Sequence, residues 1–326
     1  MFATFLRIIA AAAASLSISA SFAQADAYPS KPIHFIVPFA TGGGSDILVR
    51  SIGAKITEAT GASVVIDNKP GANGIVADSF AARAPADGYT VLLETTNMVL
   101  NALLKKDLSY NAASDFDPVV MPAWVTHVLV VNPKAAKPIG SLDELLARMK
   151  AEPGKITYGS FGTGSTAHMA GELLNVTAGT QSIHVPYKGG APEIAALLAN
   201  DIDVAIGTVP LVMPFIKSGQ LRAIAVTSPK RIGELPDVPT VAEKLPGYEV
   251  DLWWGFFVPA GTPAPIVTKL NQLIVSALAA PDVRERLAPQ GFNFISGTPQ
   301  QLRDSMKAET AKWDQVIKKA GIKLEN

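Results

Sequence analysis

Short apolar runs rich in Val and Ile alternate along the chain with longer segments whose apolar residues recur at helical spacing. The runs that predict strands cover residues 33–37, 64–66, 90–93, 128–131, 156–158, 202–206 and 221–226. Helical patterns cover 45–57, 142–150, 191–199 and 266–279. Strands that alternate with helices in this way form parallel sheets covered on both faces, so the pattern predicts an α/β fold.

This pattern runs twice. The loops 39–46 and 161–168 both begin with Phe, are rich in glycine, follow a predicted strand and lead into a helix. One strand later, Lys69-Pro-Gly-Ala72 and Lys188-Gly-Gly-Ala191 occupy equivalent positions. Two copies predict two similar lobes, with chance similarity between strand–helix units as the alternative interpretation.

We expect residues 26–124 and 228–326 to form lobe 1 and residues 125–227 to form lobe 2. The chain then crosses between the lobes twice, and the return crossing falls between Leu221 and Trp253. Ligands of open α/β sheets bind beyond the carboxyl ends of the strands. The two Gly-rich loops should therefore face each other across a cleft.

The second loop, residues 160–168, has the composition of an anion-binding helix start. Glycines let backbone amides approach a ligand closely, and Ser165 and Thr166 add hydroxyl groups beside the free N–H groups of the first helical turn. The helix dipole favours an anionic oxygen pair at such a position. The alternative is that Ser165 only caps the helix while the glycines only form a tight turn.

Two carboxylates also belong to the predicted cleft. Asp46 would repel a bare carboxylate, so we favour a helix-capping role for it, with orientation of a water or a ligand ammonium as the alternative. Asp203, which opens a predicted strand, either selects a ligand amine or hydroxyl or caps a turn. The predicted ligand-binding residues are Phe39, Ala40, Thr41, Gly42, Gly43, Asp46, Thr96, Asn97, Ser160, Gly162, Gly164, Ser165, Thr166 and Asp203.

Composition argues against several other classes of function. Lys+Arg and Asp+Glu balance at 28 each and Cys is absent, so there is no field of one sign for nucleic acid and no thiolate metal ligand. The loops lack the motifs of P-loop, dinucleotide and hydrolase sites, and the four histidines are scattered. We predict no catalytic residue, no metal and no cofactor. An exported enzyme of the same architecture is the rival hypothesis.

The N-terminus has the pattern of a cleavable secretory signal, which we assign to residues 1–25. Arg7 precedes an apolar stretch, and Ala23-Gln24-Ala25 has the small-x-small form of a cleavage site, with cleavage after Ala27 as the alternative. A membrane anchor is the other interpretation, but the apolar stretch is shorter than the ~20 residues that span a bilayer. The mature protein is expected to be exported and soluble.

The sequence resembles the Bug family, the periplasmic solute-binding receptors of tripartite tricarboxylate transporters, over nearly all of the mature chain. The motifs that carry the resemblance begin at Tyr28, Val37, Asn68, Ala86, Tyr158, Val185, Leu235 and Pro259. They include Val-Pro-Phe-x-x-Gly-Gly-x-x-Asp at 37–46 and Tyr-Gly-Ser-x-Gly-x-Gly-Ser at 158–165.

The resemblance implies a two-lobed Venus-flytrap fold, similar to type II periplasmic binding proteins. It also implies that loops 39–46 and 160–166 hold one ligand carboxylate, with Asp203 helping to set specificity. Expected ligands are organic acids, aromatic acids or acidic amino acids, and the expected partner is a tripartite-type membrane permease or a sensor. We expect a monomer. Glu94 departs from the family pattern, so it either repels a second ligand carboxylate or points away from the cleft.

Overall fold

The computed structural model describes residues 28–320 and Ile322, so the predicted signal peptide lies outside the described residues. Within this part of the chain, no helix is both long and apolar enough to cross a membrane.

The first half of the described chain alternates strands and helices as the apolar pattern predicts. Its elements are β1 (Ile33–Val37), α1 (Gly44–Thr60), β2 (Val64–Asn68), α2 (Ile75–Ala81), β3 (Thr90–Thr95), α3 (Asn97–Leu104), β4 (Phe116–Val131) and α4 (Leu142–Ala151). A 3₁₀ turn, Ala72–Gly74, precedes α2.

The alternation continues to the C-terminal helix. The elements are β5 (Thr157–Ser160), α5 (Thr166–Ala178), β6 (Ile183–Pro186), α6 (Gly190–Ala199), β7 (Val204–Thr208), α7 (Val209–Lys217), β8 (Arg222–Val226), β9 (Asp251–Pro259), α8 (Ala264–Ala279), α9 (Pro281–Leu287), β10 (Asn293–Phe294) and α10 (Pro299–Ala320). Two further 3₁₀ turns are Val241–Glu243 and Ala288–Gln290.

The strands form one continuous sheet in the order β2-β1-β3-β9-β4-β7-β5-β6, with β8 and β10 also paired to β4. The predicted parallel arrangement holds for β1, β2 and β3 and again for β5, β6 and β7. The sheet is not wholly parallel, because β4 pairs antiparallel with β7, β8, β9 and β10.

The long strand β4 carries the chain from one lobe to the other. It pairs with β9 as far as Thr126, opposite Asp251, and with β7 from His127 onward, opposite Thr208. The division therefore falls between Thr126 and His127, two residues beyond the expected position.

The return crossing lies later than the expected boundary at residue 227. Residues 228–250 pack on the second lobe: Val226 bridges to Thr240, Lys244 pairs with Asp143, and the Tyr248 hydroxyl donates to the Ala170 carbonyl. These contacts place residues 228–250 with lobe 2, so the return crossing falls at residues 250–251, inside the expected range 221–253. We use lobe 1 for residues 28–126 and 251–320, and lobe 2 for residues 127–250.

The hydrophobic core follows the alternation of side chains along the strands. In β4, Leu129 and Val131 join a large cluster that continues through both lobes, whereas Val128 and Val130 face a smaller cluster in lobe 2. A third cluster covers the opposite face of the lobe 1 sheet. Because β1 and β5 are held in these buried sheets, the loops that follow them are presented at one edge of each lobe.

Candidate ligand-binding cleft

The two predicted loops meet where the lobes face each other. The rings of Phe39 and Phe161 lie edge to face with centroids 6.0 Å apart, and they belong to different lobes. Asn97 Oδ1 of lobe 1 accepts a hydrogen bond of 2.9 Å from the Thr166 amide of lobe 2. These contacts mean that the lobes are closed on each other in this structure.

A small cavity of about 40 Å³ lies on one side of the Phe39–Phe161 pair. A water molecule needs roughly 10–15 Å³ of such space, so the cavity suits a group of about three heavy atoms. Its walls carry no charged side chain. The lining residues are Phe39, Ala40, Gly43, Gly44, Ser45, Thr95, Phe161, Gly190, Ala191, Thr208, Leu211, Leu252 and Trp254.

Two helix starts from different lobes face this small cavity. In α1, the amides of Gly44 and Ser45 donate to no acceptor within the described residues, and in α6 the same holds for Gly190 and Ala191. Thr208, the N-cap of α7, completes the polar wall. Free amides and helix dipoles of this kind favour an anion even though no cationic side chain is present.

Gly44 favours the close approach of α1 to this wall. A Cβ atom at this position would lie 3.2 Å from Trp254 Cζ2 and 3.6 Å from Thr208 Oγ1. Trp254 is itself held by α1, because its indole N–H donates to Ser45 Oγ at 2.8 Å. Trp254 also supplies one wall of the cavity.

A larger cavity of about 220 Å³ is also lined by Phe39 and Phe161. Its walls are the two loops Pro70–Asn73 and Pro186–Gly189, which the sequence repeat identifies as equivalent, and it contains no carboxylate. The lining residues are Pro38, Phe39, Pro70, Gly71, Ala72, Asn73, Lys105, Phe161, Gly162, Thr163, Pro186, Tyr187, Lys188 and Gly189.

Only some of the predicted ligand-binding residues line these cavities. Phe39, Ala40 and Gly43 line the small cavity, and Phe39 and Gly162 line the larger one. Thr41 and Gly42 are exposed at the loop tip and line neither cavity.

Asp46 is buried and stabilises the first loop through hydrogen bonds. Its carboxylate accepts hydrogen bonds from the Gly42 amide, from Arg50 Nε and from Asn68 Nδ2, at 3.0, 2.9 and 3.2 Å. Burial would raise the pKa of Asp46, but these hydrogen bonds outweigh it and lower the pKa below its usual range. The N-cap of α1 is Gly43, so Asp46 does not have the predicted capping role. Its carboxylate supports the loop instead.

The second loop satisfies most of its polar groups internally. Ser165 caps α5 by accepting from the His168 amide, and the Gly164 amide donates to His168 Nδ1. Thr166 Oγ1 lies 3.0 Å from His127 Nε2. Ser160, Gly164, Ser165 and Thr166 line neither cavity, so the helix start that faces the small cavity from lobe 2 is that of α6 and not that of α5.

The expected position of Asp203 beside the cleft is wrong. Asp203 immediately precedes β7 and accepts hydrogen bonds from the Thr157 amide and hydroxyl, both at 2.8 Å. It is exposed at the amino edge of the sheet, whereas the Gly-rich loops leave the carboxyl edge. A strand-opening residue and a strand-closing residue lie at opposite edges of a parallel sheet, which separates Asp203 from the Gly-rich loops.

The polar residues after β3 lie behind the small cavity. Thr96 Oγ1 accepts from the Trp253 amide, and Asn97 makes the contact between lobes described above.

Glu94 is fully buried beside Asp78, and burial together with repulsion from Asp78 raises the pKa of Glu94. It lines neither cavity, which favours the alternative that Glu94 points away from the cleft.

Three residues that line the small cavity were not predicted, although the sequence pattern around each of them indicates such a position. Thr208 follows the predicted strand 202–206, and Gly190 and Ala191 belong to the repeated Lys188-Gly-Gly-Ala191 segment. The rule that selected the first two loops, namely a polar or glycine-rich turn after a parallel strand, applies equally to both positions.

The described residues contain two hydroxyl–imidazole contacts, and both lie away from the two cavities; one is the contact of Thr166 with His127 given above. Ser160 Oγ lies 2.7 Å from His184 Nε2, yet Ser160 is fully buried and neither residue lines a cavity wall. Among the described residues, no group of His, Asp or Glu side chains has the arrangement of a metal site.

Two α/β lobes joined by crossing strands, with a cavity walled by helix starts from both lobes, define a two-lobed ligand-binding protein. The sequence model of the tripartite tricarboxylate transporter family receptor matches residues 48–322. The chain belongs to this family.

Individual relatives agree with this assignment. Protein BugT of Bordetella pertussis is 36% identical over 305 residues, covering 93% of each chain. The structure of R. palustris Rpa4515 with adipate has a TM-score of 0.87 at 36% identity and covers 91% of this chain and 99% of that one. MatC from Rhodopseudomonas palustris with bound malate has a TM-score of 0.84 at 29% identity, covering 89% and 100%.

Proposed function

We propose that this protein is an exported receptor that captures a small organic acid between its lobes and presents it to a tripartite-type membrane permease. One carboxylate of the ligand occupies the small cavity, between the helix starts of α1 and α6. The receptor catalyses no reaction on the ligand.

The observation that carries this proposal is the small cavity itself. Its size matches one carboxylate, and its walls supply free backbone amides from two lobes without any acidic side chain. An anion placed there contacts both lobes only in the closed state, so binding favours closure. The adipate and malate held by two relatives are consistent with this ligand class.

The first experiment is a thermal-shift and calorimetry screen of the mature protein with adipate, malate, glutamate and benzoate. Binding of at least one acid should raise the melting temperature, because a ligand that binds only the folded state stabilises it. The acid should be recovered chemically unchanged after incubation. Absence of binding across the panel, or consumption of an acid, would contradict the proposal.

A charge placed in the small cavity tests the assigned position. Ala191→Glu puts a carboxylate in the first turn of α6, where an acidic residue is compatible with the helix. We expect the affinity for the acid found in the screen to fall at least tenfold, because two like charges then share one cavity. The measurement is titration calorimetry, with the melting temperature as a check of folding.

Ala195→Glu is the matched control, since Ala195 lies one turn further along α6, is exposed and lines neither cavity. This variant should bind like the wild type. Equal affinities for both variants would place the carboxylate somewhere other than beside α6.

A further inference from the structure

The helix start of α5 is occupied from the opposite lobe. Thr166 is the first residue of α5, so its amide is one of the N–H groups that a helix cannot pair internally. Ser165 accepts from the His168 amide of the same turn and leaves the Thr166 amide to another acceptor. Among the described residues this acceptor is Asn97 Oδ1 of lobe 1, at 2.9 Å. A side chain of the protein thus supplies the oxygen that a ligand or water supplies at other helix starts.

Asn97 is held in position by lobe 1 alone. It is the first residue of α3, and its amide donates to Thr95 Oγ1 at 3.2 Å. The preceding residue, Thr96, exchanges two hydrogen bonds with the backbone of Trp253 in β9. Asn97 is fully buried and lines neither cavity, so its contact with lobe 2 requires no ligand.

The donor side of this contact is also packed in place. Thr166 is fully buried, and its Oγ1 lies 3.0 Å from Nε2 of His127, where β4 enters lobe 2. The His127 ring stacks on Phe161 with centroids 5.7 Å apart, and Phe161 in turn meets Phe39 of lobe 1. The hydrogen bond and the aromatic contact between the lobes therefore form together when the lobes close.

The balance of polar groups favours closure only moderately. Without Asn97 Oδ1, closed lobes would leave the Thr166 amide buried and unpaired, which costs more free energy than a hydrogen bond contributes on its own. Against this, Asn97 Nδ2 has no partner within the described residues, so closure also removes one donor from water. The contact shifts the equilibrium toward closed lobes and still allows them to reopen.

We propose that Asn97 is a positioning residue that stabilises the closed lobes before a ligand arrives, by occupying the helix start of α5. The start of α6 stays free for the ligand. A receptor whose binding-competent state is already populated has a higher apparent affinity, in proportion to that population. The effect of Asn97 on affinity rests on the proposed function, whereas its effect on closure does not.

The test measures the distance between the lobes in the ligand-free protein. Because the chain contains no Cys, Ala54→Cys on α1 and Ala195→Cys on α6 place one spin label at an exposed position of each lobe. Pulsed electron paramagnetic resonance should show a population at the short distance of the closed structure. Asn97→Ala should lower the ratio of closed to open molecules about fivefold.

Asn101→Ala is the matched control. It is the same substitution one turn further along α3 at a buried position, and the two hydrogen bonds that it removes join Asn101 to Asn73 within lobe 1. This variant should have a lower melting temperature and the same distance distribution as the wild type. Equal opening in both variants would assign the effect to a general loss of stability and overturn the proposal.

Titration with adipate connects closure to binding. Asn97→Ala should weaken adipate binding by the ratio of the closed fractions of the two proteins. A ligand-free wild type with only open molecules, or an Asn97→Ala protein with an unchanged distance distribution, would overturn the role of Asn97. Failure of the wild type to bind adipate would count against the proposed function for this acid, while the distance distributions would still decide the role of Asn97.

Discussion

At the scale of single residues, Glu193 links the start of α6 to the sheet of lobe 2. It is fully buried in the first turn of α6, and its Oε1 accepts from the Ile206 amide of β7 at 2.9 Å. Its Oε2 has no partner within the described residues. Burial raises the pKa of Glu193 to about 8, so the side chain is held protonated near neutral pH.

This shift predicts a pH-dependent stability. Between pH 4.5 and about 8 the folded protein keeps a proton on Glu193 that the unfolded chain has released, so the free energy of unfolding falls as pH rises through this window. Glu193→Gln removes this contribution. The variant should match the wild type at pH 5 and exceed it at pH 8 by on the order of 3 kcal/mol.

Urea denaturation at several pH values measures this difference. Glu152→Gln, at an exposed position, is the control and should track the wild type throughout. A difference between Glu193→Gln and the wild type that stays constant from pH 5 to pH 8 would show that Glu193 titrates normally.

At the scale of elements, Gly171 permits the close packing of α5 on β5. A methyl group built at Gly171 would overlap the ring of Tyr158, which is buried and donates its hydroxyl hydrogen to Glu172 Oε1 at 2.7 Å. Helix propensity alone predicts that alanine at this position stabilises α5 by about 1 kcal/mol. Packing against Tyr158 predicts instead that alanine destabilises the protein.

We therefore expect Gly171→Ala to lower the free energy of unfolding by about 1–3 kcal/mol, as overpacked cores do. Chemical denaturation gives the value. Gly233→Ala is the matched control, because no heavy atom lies within 4 Å of its built Cβ and its backbone is outside the left-handed region, so no loss is expected there. A stabilised Gly171→Ala protein would show that α5 can move away from the strand.

At the scale of the whole molecule, Thr227 ties together the chain segments at the boundary between the lobes. Its hydroxyl accepts from the His127 amide at 3.0 Å and donates to the Val250 carbonyl, and its own amide donates to the His127 carbonyl. His127 begins the lobe 2 part of β4, and Val250 directly precedes β9. One fully buried side chain thus joins both crossings.

Thr227→Val keeps the shape of this side chain but removes its hydroxyl, which leaves a buried amide and a buried carbonyl without partners. We expect the free energy of unfolding to fall by about 1–3 kcal/mol in urea denaturation. Thr227→Ser restores the hydroxyl and should recover most of the loss. Equal losses for Val and Ser would assign the effect to packing of the methyl group instead.

Much of the fold was predictable from the sequence, because the signals are local. The alternation of apolar runs depends on which side chains can be buried on a strand or helix, and it located most of the strands and the loops after β1 and β5. The repeat also paired Lys69-Pro-Gly-Ala72 with Lys188-Gly-Gly-Ala191, whose loops face each other across the larger cavity. The family motifs agree with the receptor family to which the chain belongs.

What only the tertiary structure decided is which of these local features line the cavities between the lobes. The starts of α5 and α6 have similar chemistry, but the α5 start is occupied by Asn97 of the other lobe while the α6 start is free. Asp203 lies at the opposite edge of the sheet, and Lys105 reaches the cleft from a helix end that no motif marks. Local pattern determines the character of an element, whereas the faces that meet are set by strand order and lobe packing, which bring together residues far apart in the chain.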